Sequence, residues 1–330
     1  MNSSRLDDIG FQALKGIGAS AEEGMFLVSA QITLEDLLDW GEKIREHFFG
    51  KAVQFCVITN ARSGACTEDC HFCSQSAHHN TNIETYPLRR PDDLLAEAKR
   101  LQCSPAKSFD IVTSGCSIGE DLESLCAAIR GISRETQLSP CASLGILAVE
   151  QLRKLKAAGL IGYNHNLETS RSFFATICTT HSWEERYATI KAAQQAGLAV
   201  CSGGIFGMGE SWQDRIDLAL ALRELGVQNV PLNFLNPIPG TPLDKRERLR
   251  PEEALRIIVL YRFLLPRATI RVCGGRLPAL GDRQREMFKA GANALMTGNY
   301  LTTPGVDPEE DRLMVEELGL RLEVTPCGSA

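Results

Sequence analysis

The chain has 330 residues, with 35 lysines and arginines against 41 aspartates and glutamates, which leaves a formal net charge of −6. This acidic balance argues against general nucleic-acid binding, which relies on an excess of basic side chains. No run approaches the roughly 18 apolar residues of a membrane span, and the polar start MNSSRLDDIG is unlike a signal peptide. The composition therefore predicts a cytoplasmic protein that contacts neither nucleic acid nor membrane.

After residue 50, short β-rich runs alternate with amphipathic helical runs, whereas the residues before it predict helices, as in ITLEDLLDWGEKIREHFFG. The strands are predicted at residues 53–59, 109–114, 139–143, 162–168, 199–206, 230–235, 269–273 and 294–297. The helices between them are predicted at residues 91–102, 121–135, 148–158, 183–196, 213–225, 251–265 and 282–290. Ser182, with Glu185 three residues later, forms a capping-box pattern at one helix start.

The alternation predicts the fold class. Eight strands that are each followed by a helix form right-handed crossovers into a parallel sheet, and eight such strands can close into a barrel. We therefore expect an α/β fold, a (β/α)8 TIM-type barrel with an N-terminal helical extension. Because no Pro/Gly/Ser-rich linker divides the chain, residues 51–330 predict one continuous domain, with residues 1–50 packed on it. The acidic residues 307–311 predict a solvated helix start.

Twelve cysteines are many for such a chain. A reducing compartment disfavours a disulfide framework, so metal binding or redox chemistry is the favoured interpretation. Cys103, Cys126 and Cys178 lie in helical or connecting stretches, where packing is the expected role. Cys327 lies in the C-terminal tail, and no role is expected for it.

The stretch ACTEDCHFCSQ holds Cys66, Cys70 and Cys73 at C-x3-C-x2-C spacing, which we call the cysteine loop. Three thiolates on one short loop can converge on one metal centre. A structural zinc site needs a fourth ligand nearby, and His78 and His79 stand at unusual spacing for that role. Three cysteines on a four-iron cluster would leave one iron open to a small-molecule ligand. The spacing therefore favours an iron–sulfur site.

A C-x3-C-x2-C loop just after the first strand of a (β/α)8 pattern resembles the radical S-adenosylmethionine superfamily. The stretches SGACTEDCHFCSQSAHHNT, YNHNLETS, VCSGGIFGMGE, VPLNFLNPIPGTPL and AGANALMTGNYLTTPG resemble, more narrowly, the biotin synthase family over residues 53–305. The resemblance implies a sulfurtransferase that inserts sulfur between two unactivated carbons of dethiobiotin to form biotin. It implies that a 5′-deoxyadenosyl radical from S-adenosylmethionine starts this reaction.

The same resemblance implies the cofactors and partners. It implies a 4Fe–4S cluster on Cys66, Cys70 and Cys73, whose open iron binds S-adenosylmethionine, and it places Phe72 against the adenine. It further implies an electron donor such as flavodoxin or ferredoxin, and a homodimer.

The pocket residues also follow from the resemblance. Asn166 is expected to contact both the substrate and S-adenosylmethionine, and Glu168 to accept hydrogen bonds from the ribose hydroxyls, where the family usually has aspartate. Asn233 is expected to contact the ureido ring of dethiobiotin. Arg62 is expected to bind the substrate carboxylate, although a solvated loop arginine is an equal alternative.

The predicted strands carry a second set of cysteines, which we call the barrel cysteines: Cys56, Cys141, Cys201 and Cys273. They fall on the first, third, fifth and seventh strands. Alternate strands of a (β/α)8 barrel point side chains inward in common layers, so these thiols can meet inside. Taken singly, each would be an ordinary small buried hydrophobe.

The resemblance implies an auxiliary 2Fe–2S cluster with Cys141, Cys201 and Arg271 among its ligands, and it implies a catalytic role for Arg271. The family's remaining cysteine is replaced here by Asp110, whose harder oxygen is a poor substitute for thiolate on iron–sulfur. Cys116 lies in the following loop, too far along to replace it. With Cys56 and Cys273 as extra thiols, we expect an auxiliary cluster bound differently, as 2Fe–2S or a four-iron variant.

Two other interpretations are open. One is another radical S-adenosylmethionine enzyme of the same branch, of the hydrogenase-cofactor or methylornithine type, which would share the cysteine loop. The other is a metal-storing or iron–sulfur scaffold protein. A scaffold would not need Asn166, Asn233 or the glycine run SGGIFGMGE at the barrel mouth.

Overall fold

The structure is a computed structural model, and it describes residues 2–323, so Cys327 lies outside the described residues. Three helices precede the first strand: α1 (Asn2–Leu14), α2 (Ala21–Leu27) and α3 (Leu34–Phe49). Capping starts α2, where the Ser20 hydroxyl accepts a hydrogen bond from the Glu23 backbone N–H. The predicted N-terminal helices are therefore present.

The remaining elements follow the predicted alternation, but the predicted strand 162–168 ends at Asn164 and the predicted strand 199–206 is divided in two. The strands are β1 (Ala52–Arg62), β2 (Ser108–Thr113), β3 (Ser139–Ser143), β4 (Gly162–Asn164), β5 (Ala199–Cys201), β6 (Gly204–Phe206), β7 (Asn229–Phe234), β8 (Thr269–Val272), β9 (Ala294–Met296) and β10 (Arg321–Leu322). The helices are α4 (Pro91–Leu101), α5 (Leu122–Glu135), α6 (Val149–Ala157), α7 (Arg171–Phe174), α8 (Trp183–Gln195), α9 (Trp212–Glu224), α10 (Pro251–Leu264), α11 (Arg276–Leu280), α12 (Glu286–Lys289) and α13 (Pro308–Glu317).

The sheet closes on itself because β1 pairs in parallel with β2 on one side and with β9 on the other. The other neighbours pair in parallel in the order β2-β3-β4-β5-β7-β8-β9. Strand β6 pairs with β7 and continues β5 after a break at Ser202 and Gly203, so β5 and β6 are two parts of one barrel strand. The described chain thus contains a closed parallel barrel of eight strands, and the predicted (β/α)8 fold is confirmed.

Alternation along the strands separates the core from the barrel interior. In β2, Phe109 and Ile111 are fully buried in the apolar core, whereas Asp110 and Val112 line the central cavity. This pattern holds the helices on the outside and leaves polar and sulfur-bearing side chains to face inward.

The N-terminal helices pack directly on the barrel helices. Helix α3 lies against α10 and α12, and a Cβ at Gly41 would come within 2.8 Å of the Ala290 carbonyl oxygen, so this approach requires glycine. The buried Arg45 donates from Nε to the Phe288 carbonyl at 3.0 Å. Division of the chain into residues 1–50 and one continuous domain from residue 51 stays a prediction. None of the helices between residues 2 and 323 has the length and apolar run that crossing a bilayer requires.

A buried ion pair fastens α13 to the barrel. The two terminal guanidinium nitrogens of Arg276, Nη1 and Nη2, at the start of α11, donate to the two carboxylate oxygens of Asp311 at 2.8 Å. The two side chains are 0% and 1% exposed. The expectation of a solvated helix start at residues 307–311 is therefore wrong for Asp311, because the apolar side of α13 carries this carboxylate inward with Met314 and Val315.

We predict that Asp311→Ala destabilises the metal-free protein by about 3–5 kcal/mol, since it leaves the Arg276 guanidinium buried and unpaired. Denaturant unfolding followed by circular dichroism measures the loss. The matched control is Glu317→Ala on the same helix, which removes an exposed pair with Arg285 and should cost less than about 1 kcal/mol. Equal losses in the two variants would contradict the assignment.

Candidate active site

One cavity of about 610 Å³ runs from the barrel interior to the loops that follow the carboxyl ends of the strands. In (β/α)8 enzymes the reacting groups lie at this end of the barrel. The cysteine loop lines one part of the cavity, and all four barrel cysteines line another. The two predicted sets of thiols therefore open into the same space.

Local hydrogen bonds fold the cysteine loop after β1 ends. The Cys66 N–H donates to the Gln75 carbonyl at 3.0 Å, and the Ala77 N–H donates to the Cys66 carbonyl at 2.7 Å. The Cys73 N–H donates to the Cys70 carbonyl at 2.9 Å. These bonds turn Cys66, Cys70 and Cys73 toward one cavity, and burial raises the pKa of Cys73 to about 11.

The donor set of this loop fits an iron–sulfur cluster. Three soft thiol ligands face an open space, as a four-iron cluster with one free iron requires. The neighbouring histidines are bound elsewhere: a ring nitrogen of His78 lies 2.9 Å from the Thr67 carbonyl, and one of His79 lies 2.9 Å from the Cys73 carbonyl. This arrangement supports the choice of iron–sulfur over zinc.

A segment between α7 and α8 lies against the cysteine loop, and no functional role was predicted for it from the sequence. The Cys178 Sγ atom lies 3.8 Å from Cys70 Sγ and 3.3 Å from His181 Nδ1. One ligand atom from each of these three residues fits within 4.8 Å, as in a metal site. The expected packing role of Cys178 is therefore incomplete, and the Cys-x2-His spacing of CTTH was the available signal. Packing was also predicted for Cys126 and Cys103. Cys126 is buried on α5, and Cys103 is exposed.

The barrel cysteines surround Arg271. Burial disfavours the charge of its guanidinium, but the neighbouring sulfur atoms more than offset this and raise the pKa of Arg271, in the order Cys56, Cys201, Cys273 and Cys141. The guanidinium makes two long hydrogen bonds of 3.4 Å, to the Leu295 carbonyl and the Gln54 side chain. The structure thus brings together the side chains that the sequence grouped.

Asp110 faces the same part of the cavity. It lies directly opposite Cys141 in the β2–β3 ladder and is 6% exposed. Burial raises the pKa of Asp110 to about 7, although a hydrogen bond with Asn164 and the charge of Arg271 oppose this. Its Oδ1 atom has no hydrogen-bond partner within residues 2–323. Cys116 lies elsewhere, beside Cys66 and Glu68 of the cysteine loop.

The segment after β4 places two predicted residues on the cavity wall. The Asn166 Oδ1 atom accepts the Gly203 N–H at 3.1 Å, in the break between β5 and β6. Glu168 has a backbone φ of +68°, in the left-handed region that costs a side chain about 1–2 kcal/mol. Its Oε2 atom is buried without a partner among the described residues, and Arg186 Nη1 lies 3.6 Å from its Oε1 atom. Burial raises the pKa of Glu168 against the opposing charge of Arg186.

Asn233 and Phe72 also line the cavity. The Asn233 amide is held by the backbone, since it donates to the Gly204 carbonyl at 3.3 Å and accepts from the Gly274 N–H at 3.0 Å. Phe72 packs on a small apolar cluster whose buried members include Phe174, Met208 and Leu235.

Arg62 is not among the residues that line the cavity. Its guanidinium donates to Asp121 at 2.8 Å, to the Ser114 carbonyl at 2.9 Å and to the Ser117 carbonyl at 2.9 Å. The structure therefore does not bring Arg62 together with Asn166 and Asn233, and its predicted carboxylate contact would require it to exchange these partners.

Comparison with known proteins is consistent with this site. The model of the Radical SAM superfamily matches residues 61–222, and that of the Biotin and Thiamin Synthesis associated domain matches residues 231–321. A crystal structure of methylornithine synthase superposes with a TM-score of 0.84 at 21% identity, covering 95% of this chain and 97% of that one. A maturase of the [FeFe]-hydrogenase superposes with a TM-score of 0.85 at 14% identity, covering 98% of this chain and 76% of that one. At these identities the two structures establish the fold alone.

Sequence relatives are much closer. The chain is 48% identical over 318 residues to the biotin synthase of Trichlorobacter lovleyi, covering 96% of each chain. It is 52% identical over 287 residues to the biotin synthase of Heliobacterium modesticaldum, covering 87% of this chain and 88% of the relative. Such identity over nearly the full length, together with the two family models and the thiol-lined barrel cavity, shows that the chain belongs to the biotin synthase family of radical S-adenosylmethionine enzymes.

Proposed function

We propose that the protein inserts sulfur into dethiobiotin to form biotin, with S-adenosylmethionine as the source of the initiating radical. The observation that carries this proposal is the opening of two separate thiol sets, the cysteine loop and the barrel cysteines, into one cavity. A radical enzyme that also supplies sulfur needs two such centres facing one substrate.

The first centre is held by Cys66, Cys70 and Cys73. When bound there, the 4Fe–4S cluster supplies the electron that cleaves S-adenosylmethionine to the 5′-deoxyadenosyl radical. Phe72 offers an aromatic face for the adenine. Glu168 offers to the ribose hydroxyls a buried carboxylate oxygen that has no partner among the described residues, and its left-handed backbone is the kind of local strain found at functional sites.

Asn166 and Asn233 are suited to the substrate. The ureido ring of dethiobiotin has two N–H donors and one carbonyl acceptor. An amide side chain can accept from the N–H groups and donate to the carbonyl. Backbone hydrogen bonds to Gly203, Gly204 and Gly274 hold the two amides in place. Arg62 is a further candidate for the substrate carboxylate, on condition that it releases Asp121.

The second centre is formed by the barrel cysteines with Arg271, and we propose that it holds the auxiliary iron–sulfur cluster, 2Fe–2S or a four-iron variant, as the sulfur source. The four thiols can serve as ligands, and the Arg271 guanidinium offsets their negative charge. Enclosure by the barrel wall keeps water from the site, which protects a radical from side reactions.

The reductant and the assembly belong to the same proposal. The electron donor would be a small redox protein such as flavodoxin or ferredoxin, and the chain would act as a homodimer. Both follow from the family resemblance.

Product analysis tests the function. The protein is reconstituted anaerobically with iron and sulfide, then incubated with dethiobiotin, S-adenosylmethionine and a reductant. Biotin together with 5′-deoxyadenosine is expected. Release of 5′-deoxyadenosine without biotin would favour another enzyme of the hydrogenase-cofactor or methylornithine type. Iron uptake with neither product would favour a scaffold protein.

We predict that Cys73→Ala abolishes release of 5′-deoxyadenosine, because two thiolates of the cysteine loop cannot retain the cluster. Chromatography of the reaction mixture and iron counts measure the effect. Cys126→Ala, a buried cysteine on α5 away from the cavity, is the control and should react normally. Undiminished release by Cys73→Ala would overturn the assignment of the first centre.

We predict that Asn233→Ala weakens dethiobiotin binding by about 1–3 kcal/mol, because it leaves polar groups of the bound ring unpaired. Calorimetric titration of the reconstituted protein measures the affinity, and unchanged absorption spectra show that both clusters are intact. Asn233→Asp is the second variant, since it keeps an acceptor for the Gly274 N–H while it replaces the amide donor with a charged oxygen. If neither variant binds more weakly, Asn233 does not contact the substrate.

We predict that Cys56→Ser and Cys273→Ser each lose auxiliary iron and biotin formation while the cluster on the cysteine loop remains. Asp110→Ala should do much less damage, because four thiolates satisfy the site without it. Iron counts and Mössbauer spectra of the three variants measure the outcome. If Asp110→Ala empties the site and Cys273→Ser does not, the four-thiolate ligand set is wrong.

A further inference from the structure

The segment between α7 and α8, residues 177–181, is hydrogen-bonded to the cysteine loop at several points. The His71 N–H donates to the Ile177 carbonyl at 2.9 Å, and the Thr179 N–H donates to Asp69 Oδ1 at 2.9 Å. The Thr180 hydroxyl donates to Glu68 Oε2 at 2.7 Å. These bonds fix the position of the segment relative to the cysteine loop, and no step proposed above uses it.

In this segment, the sulfur of Cys178 lies next to that of Cys70, a proposed cluster ligand. Its Sγ atom is 3.8 Å from Cys70 Sγ, within hydrogen-bond distance for two sulfur atoms, and both side chains are buried. A cysteine that binds iron is a thiolate and can only accept. In the metal-free protein this bond runs from Cys70 to Cys178 and lowers the pKa of Cys178 to about 4. Iron bound at Cys70 removes that donor, so a hydrogen bond between the two in the loaded protein must run from the Cys178 thiol to Cys70.

Two other acceptors lie near the Cys178 thiol, the Thr180 hydroxyl at 3.6 Å and the Asp69 carboxylate, and both already have donors. Both oxygens of Asp69 are engaged, since Oδ1 accepts from the Thr179 and Thr180 N–H groups and Oδ2 accepts from the Thr179 hydroxyl. The Asp69 carboxylate also accepts from the Cys178 thiol, but its other donors remain when that thiol turns to Cys70.

The histidine beside Cys178 is oriented as a donor. Arg186 Nε donates to His181 Nε2 at 3.0 Å, and a guanidinium cannot accept, so Nε2 must be the acceptor. In the neutral ring the hydrogen then sits on Nδ1, which donates to Glu68 Oε2 at 2.5 Å and lies 3.3 Å from Cys178 Sγ. A metal ion at Cys70, Cys178 and His181 would have to displace Glu68 from Nδ1, so a hydrogen-bond network explains this cluster better.

We propose that Cys178 is a positioning residue whose thiol donates a hydrogen bond to the Cys70 sulfur and raises the reduction potential of the radical-generating cluster. A hydrogen bond to a ligating sulfur stabilises the more negative, reduced cluster. The carboxylates of Glu68 and Asp69 in the cysteine loop act in the opposite direction, since nearby negative charge disfavours reduction. The inference rests on the proposed cluster at Cys66, Cys70 and Cys73.

The test is a redox titration of the reconstituted full chain, followed by the electron paramagnetic resonance signal that responds to S-adenosylmethionine. The donor-free variants Cys178→Ala and Cys178→Val should keep the iron content of the unmodified protein and titrate at a more negative potential. Cys178→Ser, which keeps an O–H donor, should shift back toward the unmodified value. Cys126→Ala is the control for loss of a buried thiol and should show no shift.

Each contrary result is distinct. Equal potentials in the unmodified protein and both donor-free variants would overturn the inference and leave the proposed function standing. Loss of iron in both donor-free variants would also overturn it, because Cys178 would then be a ligand. A chain that takes up no cluster at all would overturn the proposed function together with the inference.

Discussion

The site depends on the closure of the sheet through β1. This strand pairs with β2 on one side and β9 on the other, and it then runs directly into the cysteine loop. Closure forces inward-facing side chains of distant strands into one enclosed space, which is why Cys56 and Cys273 can share it. The chain that continues from the same strand brings the thiols of the cysteine loop over that space. A single strand therefore sets the relation between the two proposed centres.

Charge inside the barrel is arranged around one buried cation. Arg271 is enclosed by four sulfur atoms, hydrogen-bonds to one of them in Cys56, and has Asp110 nearby. Its hydrogen bonds to Leu295 and Gln54 are long, at 3.4 Å. A buried guanidinium without close partners is costly unless negative charge balances it. In the proposed auxiliary centre, the thiolates of the barrel cysteines would supply that charge.

The fold and the two cysteine sets could be predicted because they depend on regular spacing. Strand–helix alternation gave the barrel, C-x3-C-x2-C gave the cysteine loop, and inward alternation grouped Cys141 with Cys201. Contacts between distant segments could not be predicted in this way. Cys178 meets Cys70 across 108 residues, and Asp311 meets Arg276 across 35 residues. The partners of Arg62 lie on a loop whose path the sequence does not encode locally.

The break between β5 and β6 has a consequence for molecular recognition. Gly203 has no room for a side chain, since a Cβ there would lie 1.9 Å from the Pro231 carbonyl oxygen, and its N–H is bound by Asn166. The Ile205 N–H donates in turn to the Glu168 carbonyl at 2.9 Å, so Asn166 and Glu168, both proposed to contact ligands, are hydrogen-bonded to the barrel wall itself. Their conformational entropy is lost when the chain folds, and docking of a small molecule then needs little further ordering on this side of the cavity. This wall therefore acts as a rigid template. A small molecule whose hydrogen-bonding group is misplaced meets no side chain here that can move to accommodate it.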